Sequence, residues 1–276
     1  MIDERKTAII TYMDEFFFEN LEKDFLPTLF NVADYNGKVY LLNYGITDMD
    51  IQRIKQQYPI YVINCKKERP VFSNRYFDIP NLIEQLDENV EYVMTMDSAD
   101  IWFQKSINEV FEECKEGIGC VAEERIIGVD HFTEYCLNNL TDKERRFMEK
   151  RLLGRLVRNS GVICGPVGQM KSLIEAIAED MLNTSCEFFG IDQLYFNYEW
   201  YALDESARIE LDDKYNYVLV SNVDSFSIVD DIIYDKFGKK IAIVHNAGAN
   251  WRVLKRPYEN KKVNERQYTD IRDIGK

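Results

Sequence analysis

The stretch Tyr92-Val-Met-Thr-Met96-Asp97-Ser-Ala-Asp100 joins a short apolar run to two carboxylates. Before it, apolar runs alternate with helical patterns along the chain. The runs Thr7–Tyr12, Val39–Tyr44, Ile60–Cys65 and Tyr92–Met96 predict strands, and the segments Leu21–Ala33, Asp48–Gln57 and Ile79–Leu86 predict helices. Repeated strand–helix–strand units build parallel sheets through right-handed crossovers. The sequence therefore predicts an α/β fold with a mostly parallel central sheet flanked by helices.

The rest of the chain continues this mixture of strands and helices. Ser106-x-x-Glu109 is a capping-box pattern that predicts a helix ending near Gly117, with the two carboxylates in the loop before it. Residues 132–158 predict a mostly helical segment, and further strands are predicted at Ile118–Ala122, Val162–Cys164, Tyr217–Val220 and Ile241–Val244. We expect one domain over residues 1–254, followed by a basic tail over residues 255–276 with seven Lys or Arg against four Asp or Glu.

The charge of the chain argues against a nucleic-acid partner. The 276 residues carry 34 Lys or Arg and 48 Asp or Glu, a net charge of −14, whereas phosphate backbones are bound by clustered cations. No apolar run approaches the roughly 18 residues of a membrane-spanning helix, and the charged start does not resemble a secretory signal. We therefore expect a cytoplasmic protein without a transmembrane segment.

The cysteines and histidines do not form a recognisable metal or disulfide motif. Six cysteines are scattered without a Cys-x-x-Cys pair, and His131 and His245 are the two histidines. This spacing argues against a zinc ribbon and against a disulfide scaffold, and it favours free thiols in a reducing compartment.

A parallel α/β sheet raises the question of nucleotide binding, yet no phosphate-binding glycine loop is present. The first glycine is Gly37, far beyond the turn after the first predicted strand, and no G-x-x-x-x-G-K-[ST] sequence occurs. An anionic nucleotide on this acidic chain would need another source of positive charge, such as a divalent metal. Asp97 and Asp100, at the end of a predicted strand, could bind one hard cation together, although Asp is also common there as a turn residue.

The chain contains four short motifs, which occur in this order: Asp97-Ser-Ala-Asp100, Asn159-Ser-Gly-Val-Ile-Cys-Gly165, Gly190-Ile-Asp192-Gln193 and His245-Asn-Ala-Gly248. In this order and approximate spacing the chain resembles the retaining, glycogenin-like glycosyltransferases of the GT-A (nucleotide-diphospho-sugar transferase) fold. It is most similar to the glycosyltransferase domain attached to collagen lysyl hydroxylases. The resemblance covers nearly the whole chain up to about residue 256.

The resemblance implies a metal centre made of Asp97, Asp100 and His245. These residues would bind Mn²⁺, or Mg²⁺ in its place, and the ion would hold the diphosphate of a UDP-sugar donor. Taken alone, His245 is better described as a histidine at a strand end without a special role, but Gly248 and the carboxylate pair favour a ligand.

The resemblance also implies contacts to the diphosphate near the end of the domain. Gly248 suits a close approach of backbone to phosphate. The family usually has a lysine six residues after the histidine, but this chain has Trp251 there. Arg252 or Lys255 would then have to reach the diphosphate.

The remaining candidates concern the sugar and the base. The resemblance implies that Asn159 contacts the donor sugar and that Asp192 and Gln193 face the transferred sugar, although Asp192 would also serve as a cap of the predicted helix Gln193–Trp200. Tyr12 is a candidate for stacking on uracil. Arg75 could pair with a carboxylate of the site, but a surface arginine is the simpler interpretation.

One charged segment is not explained by these motifs. Thr141–Arg158 carries seven Lys or Arg against three Asp or Glu. A solvated helix face is the simpler interpretation, and an acceptor-binding surface is the alternative.

Together these inferences predict a metal-dependent hexosyltransferase. It would move a hexose from UDP-glucose or UDP-galactose to the hydroxyl of a glycan or of a protein-linked sugar, with retention of anomeric configuration. A noncatalytic sugar-nucleotide or carbohydrate binding protein of the same fold is the alternative. A sugar-phosphate nucleotidyltransferase is disfavoured because its glycine-rich basic loop is missing.

Overall fold

The structure of the protein is a computed structural model that describes residues 2–184, 186–246 and 254. A twisted central sheet forms the middle of the molecule. The described residues form these strands: β1 (Thr7–Met13), β2 (Lys38–Asn43), β3 (Ile60–Asn64), β4 (Tyr92–Met96), β5 (Ile101–Phe103), β6 (Ile118–Ile126), β7 (Leu156–Pro166), β8 (Arg208–Leu211), β9 (Tyr217–Val218), β10 (Phe226–Val229), β11 (Ile232–Asp235) and β12 (Ile243–His245). Seven of them form the central sheet in the order β3-β2-β1-β4-β7-β6-β8.

Helices cover both faces of this sheet. They are α1 (Phe18–Asn20), α2 (Leu26–Asn31), α3 (Asp48–Lys55), α4 (Val71–Ile83), α5 (Asn108–Glu113), α6 (His131–Asn138), α7 (Asp142–Leu152), α8 (Val167–Leu182) and α9 (Ile191–Trp200), with a π-helical turn Leu21–Phe25 between α1 and α2. Within the described residues, no helix is long and apolar enough to cross a membrane.

The sheet is mostly parallel, as predicted. The pairs β1–β2, β2–β3, β1–β4 and β6–β8 are parallel, whereas β7 runs antiparallel to both β4 and β6. Every residue of β1 except Tyr12 is buried, and successive side chains enter opposite layers of the core. A strand covered on both faces has a continuous apolar sequence, which explains why Thr7–Tyr12 shows no alternation.

A smaller sheet lies beyond the end of β4. Its order is β5-β12-β9, with β5 antiparallel and β9 parallel to β12. Gln104 connects it to the β10–β11 hairpin, because its side-chain amide donates to the carbonyls of Ile233 and Ile241 and accepts from the Ile233 amide. In the smaller sheet, β12, which ends with His245, lies next to the edge of the central sheet where β4 ends.

Several element boundaries differ from the sequence-based expectations. The predicted helical segment 132–158 is wrong at its end: α7 stops at Leu152, Gly154 takes a φ of 77°, and β7 begins at Leu156. A left-handed residue ends a helix readily when it is glycine. The predicted helix Ile79–Leu86 instead begins at Val71, directly after Pro70, whose backbone is extended.

The prediction of a capping box at Ser106 is also wrong. The helix begins at Asn108, and Glu109, which should have completed the box, accepts a hydrogen bond from the Tyr215 hydroxyl. The acidic pair lies in a loop as predicted, but this loop ends at Asp100, because Ile101–Phe103 forms β5 by pairing with β12, a partner far away in sequence.

Candidate metal centre and cleft

Three potential metal ligands meet where the two sheets approach each other. Asp97 follows β4, and its amide donates to the carbonyl of Gly161 at 2.9 Å. Asp100 precedes β5, and its carbonyl accepts from the Asn246 amide at 2.8 Å. His245 is the last residue of β12 and pairs with Ile101. Strand pairing therefore brings together residues that are 145 positions apart.

The ligand atoms of this triad face one another. The His245 Nε2 atom lies 3.5 Å from Asp100 Oδ1 and 3.8 Å from Asp97 Oδ2, and one ligand atom from each residue falls within 4.8 Å of the others. Asp100 and His245 are buried, and Asp97 is partly buried. The spatial convergence of the three residues is thus a property of the fold.

The loop between the two aspartates is held at both of its inner residues. The Ser98 hydroxyl donates to the carbonyl of Tyr12 at 2.9 Å, and the Asn20 side chain donates to the carbonyl of Ala99. These contacts attach the loop to the end of β1 and to α1, so that the two carboxylates have a fixed separation.

The orientation of the His245 ring follows from a chain of hydrogen bonds. The Gly161 amide can only donate, so the atom it contacts on Asn159, at 2.8 Å, is the oxygen. The same oxygen accepts from the Asn216 side-chain nitrogen at 2.8 Å, which leaves the Asn216 oxygen 2.9 Å from His245 Nδ1. Nδ1 therefore carries a proton, so that the lone pair of a neutral ring lies on Nε2 and faces the two aspartates.

Asn159 is anchored in turn by a buried carboxylate. Its side-chain nitrogen donates to Glu123 at 2.9 Å, and Glu123 also accepts from the Ser221 hydroxyl and pairs with Arg125 at 3.0 Å. Burial raises the pKa of Glu123, but Arg125 and these hydrogen bonds outweigh burial and leave the pKa lowered. Glu123 is therefore ionised and supports the network behind the histidine.

Gly161 leaves room for the imidazole. A Cβ atom at this position would lie 2.4 Å from the Cε1 atom of His245, closer than any non-bonded carbon contact. The glycine of the Asn-Ser-Gly motif therefore has a packing role that the sequence did not reveal.

The second oxygen of Asp97 is held by two other side chains. The Tyr12 hydroxyl donates to Asp97 Oδ1 at 2.6 Å, and Arg75 donates to the same atom at 2.5 Å. Arg75 also donates to Asp192 at 3.0 Å, and its guanidinium stacks on the rings of Tyr12 and Tyr76. Because Arg75 is only 3% exposed, its interpretation as a surface residue is wrong, and its pairing with carboxylates of the site is confirmed.

Asp192 and Gln193 lie in the first turn of α9. The helix starts after Gly190, which has a φ of 92°, and its start brings the Gln193 side chain close enough to accept from the Ser160 amide at 3.4 Å. Burial raises the pKa of Asp192 to about 6, with Arg75 opposing the shift and Asp97 adding to it. Asp192 thus titrates close to neutral pH.

His245 shows the opposing effects of burial and charge. Burial lowers its pKa, but Asp100 and then Asp97 raise it further than burial lowers it. Three electron-rich atoms that face one another at this distance require a cation or a proton between them.

The triad lies in the wall of a cleft of about 440 Å³. The cleft is also lined by the other described residues proposed from the sequence, which are Tyr12, Asn159, Asp192 and Gln193. A second part of its wall is aromatic: Phe189 makes edge-to-face contacts with Phe72 at 5.6 Å and Phe132 at 5.9 Å between ring centres. The cleft therefore combines a charged part with an apolar part.

Three of the residues proposed from the sequence lie outside the described residues. They are Gly248, Arg252 and Lys255, together with the tail 255–276. Sequence reasoning missed Asn216 and Glu123. Asn216 was detectable only as a polar residue directly before a predicted strand.

The donor set fits a divalent ion that accepts both oxygen and nitrogen. A metal–ligand distance of about 2.1 Å places adjacent donors about 3 Å apart, close to the separations of 3.5 and 3.8 Å found here. Two carboxylates and one imidazole offer both kinds of donor to a divalent metal ion.

Comparison with known proteins adds no relative: no protein-family model matches the chain, and no curated protein matches it.

Proposed function

We propose that this protein is a metal-dependent glycosyltransferase of GT-A type that moves a hexose from a UDP-sugar to an acceptor hydroxyl. The convergence of Asp97, Asp100 and His245 in the wall of the cleft supports the proposal most strongly. The buried bridge from Asp97 through Arg75 to Asp192 supports it further, because it links the metal centre to a second polar group of the same cleft.

Asp97, Asp100 and His245 would hold Mn²⁺ in this proposal. The bound ion supplies positive charge that stabilises the departing nucleotide diphosphate. Tyr12 and Arg75 occupy one oxygen of Asp97 and so leave the other oxygen, which faces His245, as the ligand atom. Asn216 keeps the lone pair of His245 on the same side.

The donor sugar would lie against Asp192 and Gln193. An ionised carboxylate and a side-chain amide are suitable partners for sugar hydroxyls, because each hydroxyl both donates and accepts. Arg75 holds Asp192 at 3.0 Å, and a carboxylate in a fixed position binds a hydroxyl without a further loss of side-chain freedom.

The role of Tyr12 differs from the one proposed from sequence. Its hydroxyl binds Asp97, and Arg75 lies over its ring at 4.7 Å. Stacking on uracil therefore remains a prediction only for the face of the ring that Arg75 does not cover.

The decisive experiment measures free UDP released from UDP-glucose and from UDP-galactose with and without Mn²⁺. We expect Mn²⁺-dependent release, and we expect Asp100→Asn to abolish it. Asp204→Asn serves as the matched control, because Asp204 is exposed and its side chain makes no capping hydrogen bond.

Binding of UDP-sugar without any release or transfer would instead identify a noncatalytic sugar-nucleotide binding protein. Failure of the protein to bind Mn²⁺ or UDP at all would contradict both functions.

A further inference from the structure

Two neighbouring turns expose a group of aliphatic side chains. One turn joins β6 to α6 and the other joins α7 to β7. They are held side by side, because the Ile127 amide donates to the carbonyl of Arg155 at 2.8 Å and the Gly154 amide donates to the carbonyl of Ile127 at 3.1 Å. The exposed aliphatic side chains at these turns are Ile126 (42%), Val129 (72%), Leu153 (51%) and Leu156 (40%).

These four exposed residues are neighbours on the two paired turns. Ile126 and Leu156 are cross-strand partners of β6 and β7, and directly opposed residues point to the same face of a sheet. The side chain of Leu153 lies against Gly128, which precedes Val129 in the other turn. We call these four residues the aliphatic patch.

A row of cations leads to the aliphatic patch along α7. Lys143, Arg146 and Lys150 precede Leu153 by ten, seven and three residues, a spacing that places all four on one side of a helix. Arg155 lies between the two leucines of the patch. Among the described residues, no carboxylate lies within ion-pair distance of any of these four cations, which we call the basic row.

The acidic residues of the same region are engaged elsewhere. Glu149 pairs with Arg145, Glu144 accepts from Thr141 and Thr184, and Asp130 caps α6. The third carboxylate of α7, Asp142, lies exposed in its first turn and forms no ion pair with the basic row, so none of the carboxylates of this helix pairs directly with these cations. On a chain with a net charge of −14, this local excess is unusual.

We propose that the aliphatic patch and the basic row dock this protein on the surface of an anionic lipid bilayer. Aliphatic side chains at the tips of turns can enter the boundary between headgroups and acyl chains, while flanking lysine and arginine side chains bind the lipid phosphates. Repulsion by the acidic remainder of the molecule is weak at this site, since charges more than about 8 Å apart are screened at physiological ionic strength. The segment Thr141–Arg158, which sequence alone left between two interpretations, then has a specific partner.

The test uses the full chain and sedimentation with vesicles, without metal or nucleotide, so that its outcome does not depend on the proposed enzymatic activity. We expect binding to vesicles of phosphatidylcholine mixed with phosphatidylglycerol, little binding to phosphatidylcholine alone, and weaker binding as salt is added. The triple variant Lys143→Gln, Arg146→Gln, Lys150→Gln should reduce the affinity by about tenfold or more.

A matched triple variant separates local from global charge. Lys55, Lys66 and Lys115 are exposed lysines outside the basic row, and their replacement by Gln changes the net charge equally. This variant should bind vesicles as the wild type does. The double variant Val129→Ser, Leu153→Ser should lose binding although all cations remain.

Three results would overturn the proposal. They are no binding to phosphatidylglycerol vesicles, equal loss of binding in the two triple variants, and a dimer in solution that the Val129→Ser, Leu153→Ser variant dissociates while vesicles bind neither protein. The last result would assign the aliphatic patch to a second copy of the chain.

Discussion

Gly161 determines how closely the ring of His245 can approach β7. Alanine at this position would place a methyl group 2.4 Å from the imidazole, and the ring would have to move away from Asp97 and Asp100. We expect Gly161→Ala to weaken Mn²⁺ binding by about 10- to 100-fold, the range found when the surroundings of a metal ligand are disturbed. Titration of Mn²⁺ in the presence of UDP measures this change.

The control for this substitution is Gly168→Ala. Gly168 lies in α8, and a Cβ atom there would meet no heavy atom within 4 Å. Alanine should leave metal affinity unchanged and should stabilise the helix by about 0.5–1 kcal/mol. Equal metal affinity in the two variants would show that His245 is not a ligand.

In the proposed metal centre, Asn216 would act through the tautomer of His245, whose Nδ1 it contacts. Without its oxygen the Nδ1 proton has no fixed acceptor, and the ring is free to turn its lone pair away from the aspartates. We expect Asn216→Ala to lower Mn²⁺ affinity by about 10- to 100-fold with little change in the secondary structure measured by circular dichroism. The control is Asn183→Ala, which lies on the surface after α8. An unchanged Mn²⁺ affinity in Asn216→Ala would show that Asn216 does not fix the tautomer of His245.

Asp192 should make the turnover of the proposed reaction fall at acidic pH. Its pKa of about 6 lies above the ordinary value because of burial, so the carboxylate needed to bind a sugar hydroxyl becomes protonated as the pH falls through about 6. Turnover at saturating Mn²⁺ should fall over this range, and Asp192→Asn should be slow at every pH. If the turnover of the variant fell over the same pH range as that of the wild type, another group would be responsible for the fall.

At the scale of elements, α8 and α9 are joined by a pair of carboxyl groups. The carboxyl group of Glu199 on α9 lies close enough to that of Asp180 on α8 for the two to influence each other's ionisation. Burial, followed by the effect of Asp180, raises the pKa of Glu199 to about 7, while Arg151 opposes the shift. Folding therefore favours the protonated form of this pair.

The sign of the effect on stability follows from the direction of the shift. Between the unfolded pKa of about 4.5 and the folded value of about 7, the native state binds more protons, so the free energy of unfolding falls as the pH rises. Glu199→Gln should reduce this change in the free energy of unfolding by on the order of 1 kcal/mol. The effect is this small because Glu199 and Asp180 are both partly exposed, so that solvent screens their interaction. Urea unfolding at about pH 5 and about pH 8 measures it, and equal pH dependence in wild type and variant would exclude the pair as its source.

Sequence alone predicted the elements whose pattern is local. The strands Thr7–Tyr12 and Tyr92–Met96 are confirmed because each is buried on both faces and reads as an apolar run. Strand β5 was missed because three residues carry no period, and it exists only through its pairing with β12. The end of α7 depends on the left-handed backbone of Gly154, which a count of charged and apolar residues does not detect.

The candidate site shows the same division. Asp97, Asp100 and His245 were proposed together from the order of four short motifs, and their proximity is confirmed. Arg75 was left between two interpretations and Asn216 was not proposed, because a buried arginine and a buried asparagine look like surface residues until their partners are known.

At the scale of the whole molecule, the proposed metal centre connects two sheets. Asp97 follows a strand of the seven-stranded sheet, whereas Asp100 directly precedes β5 and His245 ends β12, both strands of the smaller sheet. An ion bound by all three residues stabilises the native state only, by about 2.7 kcal/mol at a concentration one hundred times its Kd. We expect Mn²⁺ to raise Tm by several degrees, at about 2–4 °C for each kcal/mol.

Thermal unfolding with and without Mn²⁺ tests this connection. The double variant Asp100→Asn, His245→Ala should show no rise in Tm, whereas Asp204→Asn should respond as the wild type does. A rise of equal size in the double variant would place the stabilising ion elsewhere.

The separation of the triad along the chain has a consequence for biosynthesis. All strands of the central sheet have been synthesised once the ribosome passes Leu211, but His245 follows only 34 residues later. At translation rates of 5–20 residues per second this interval lasts roughly 2–7 s. A nascent chain thus completes the strands of its main sheet before the last residue of the triad exists, so metal binding by the proposed centre would become possible only after His245 has been synthesised.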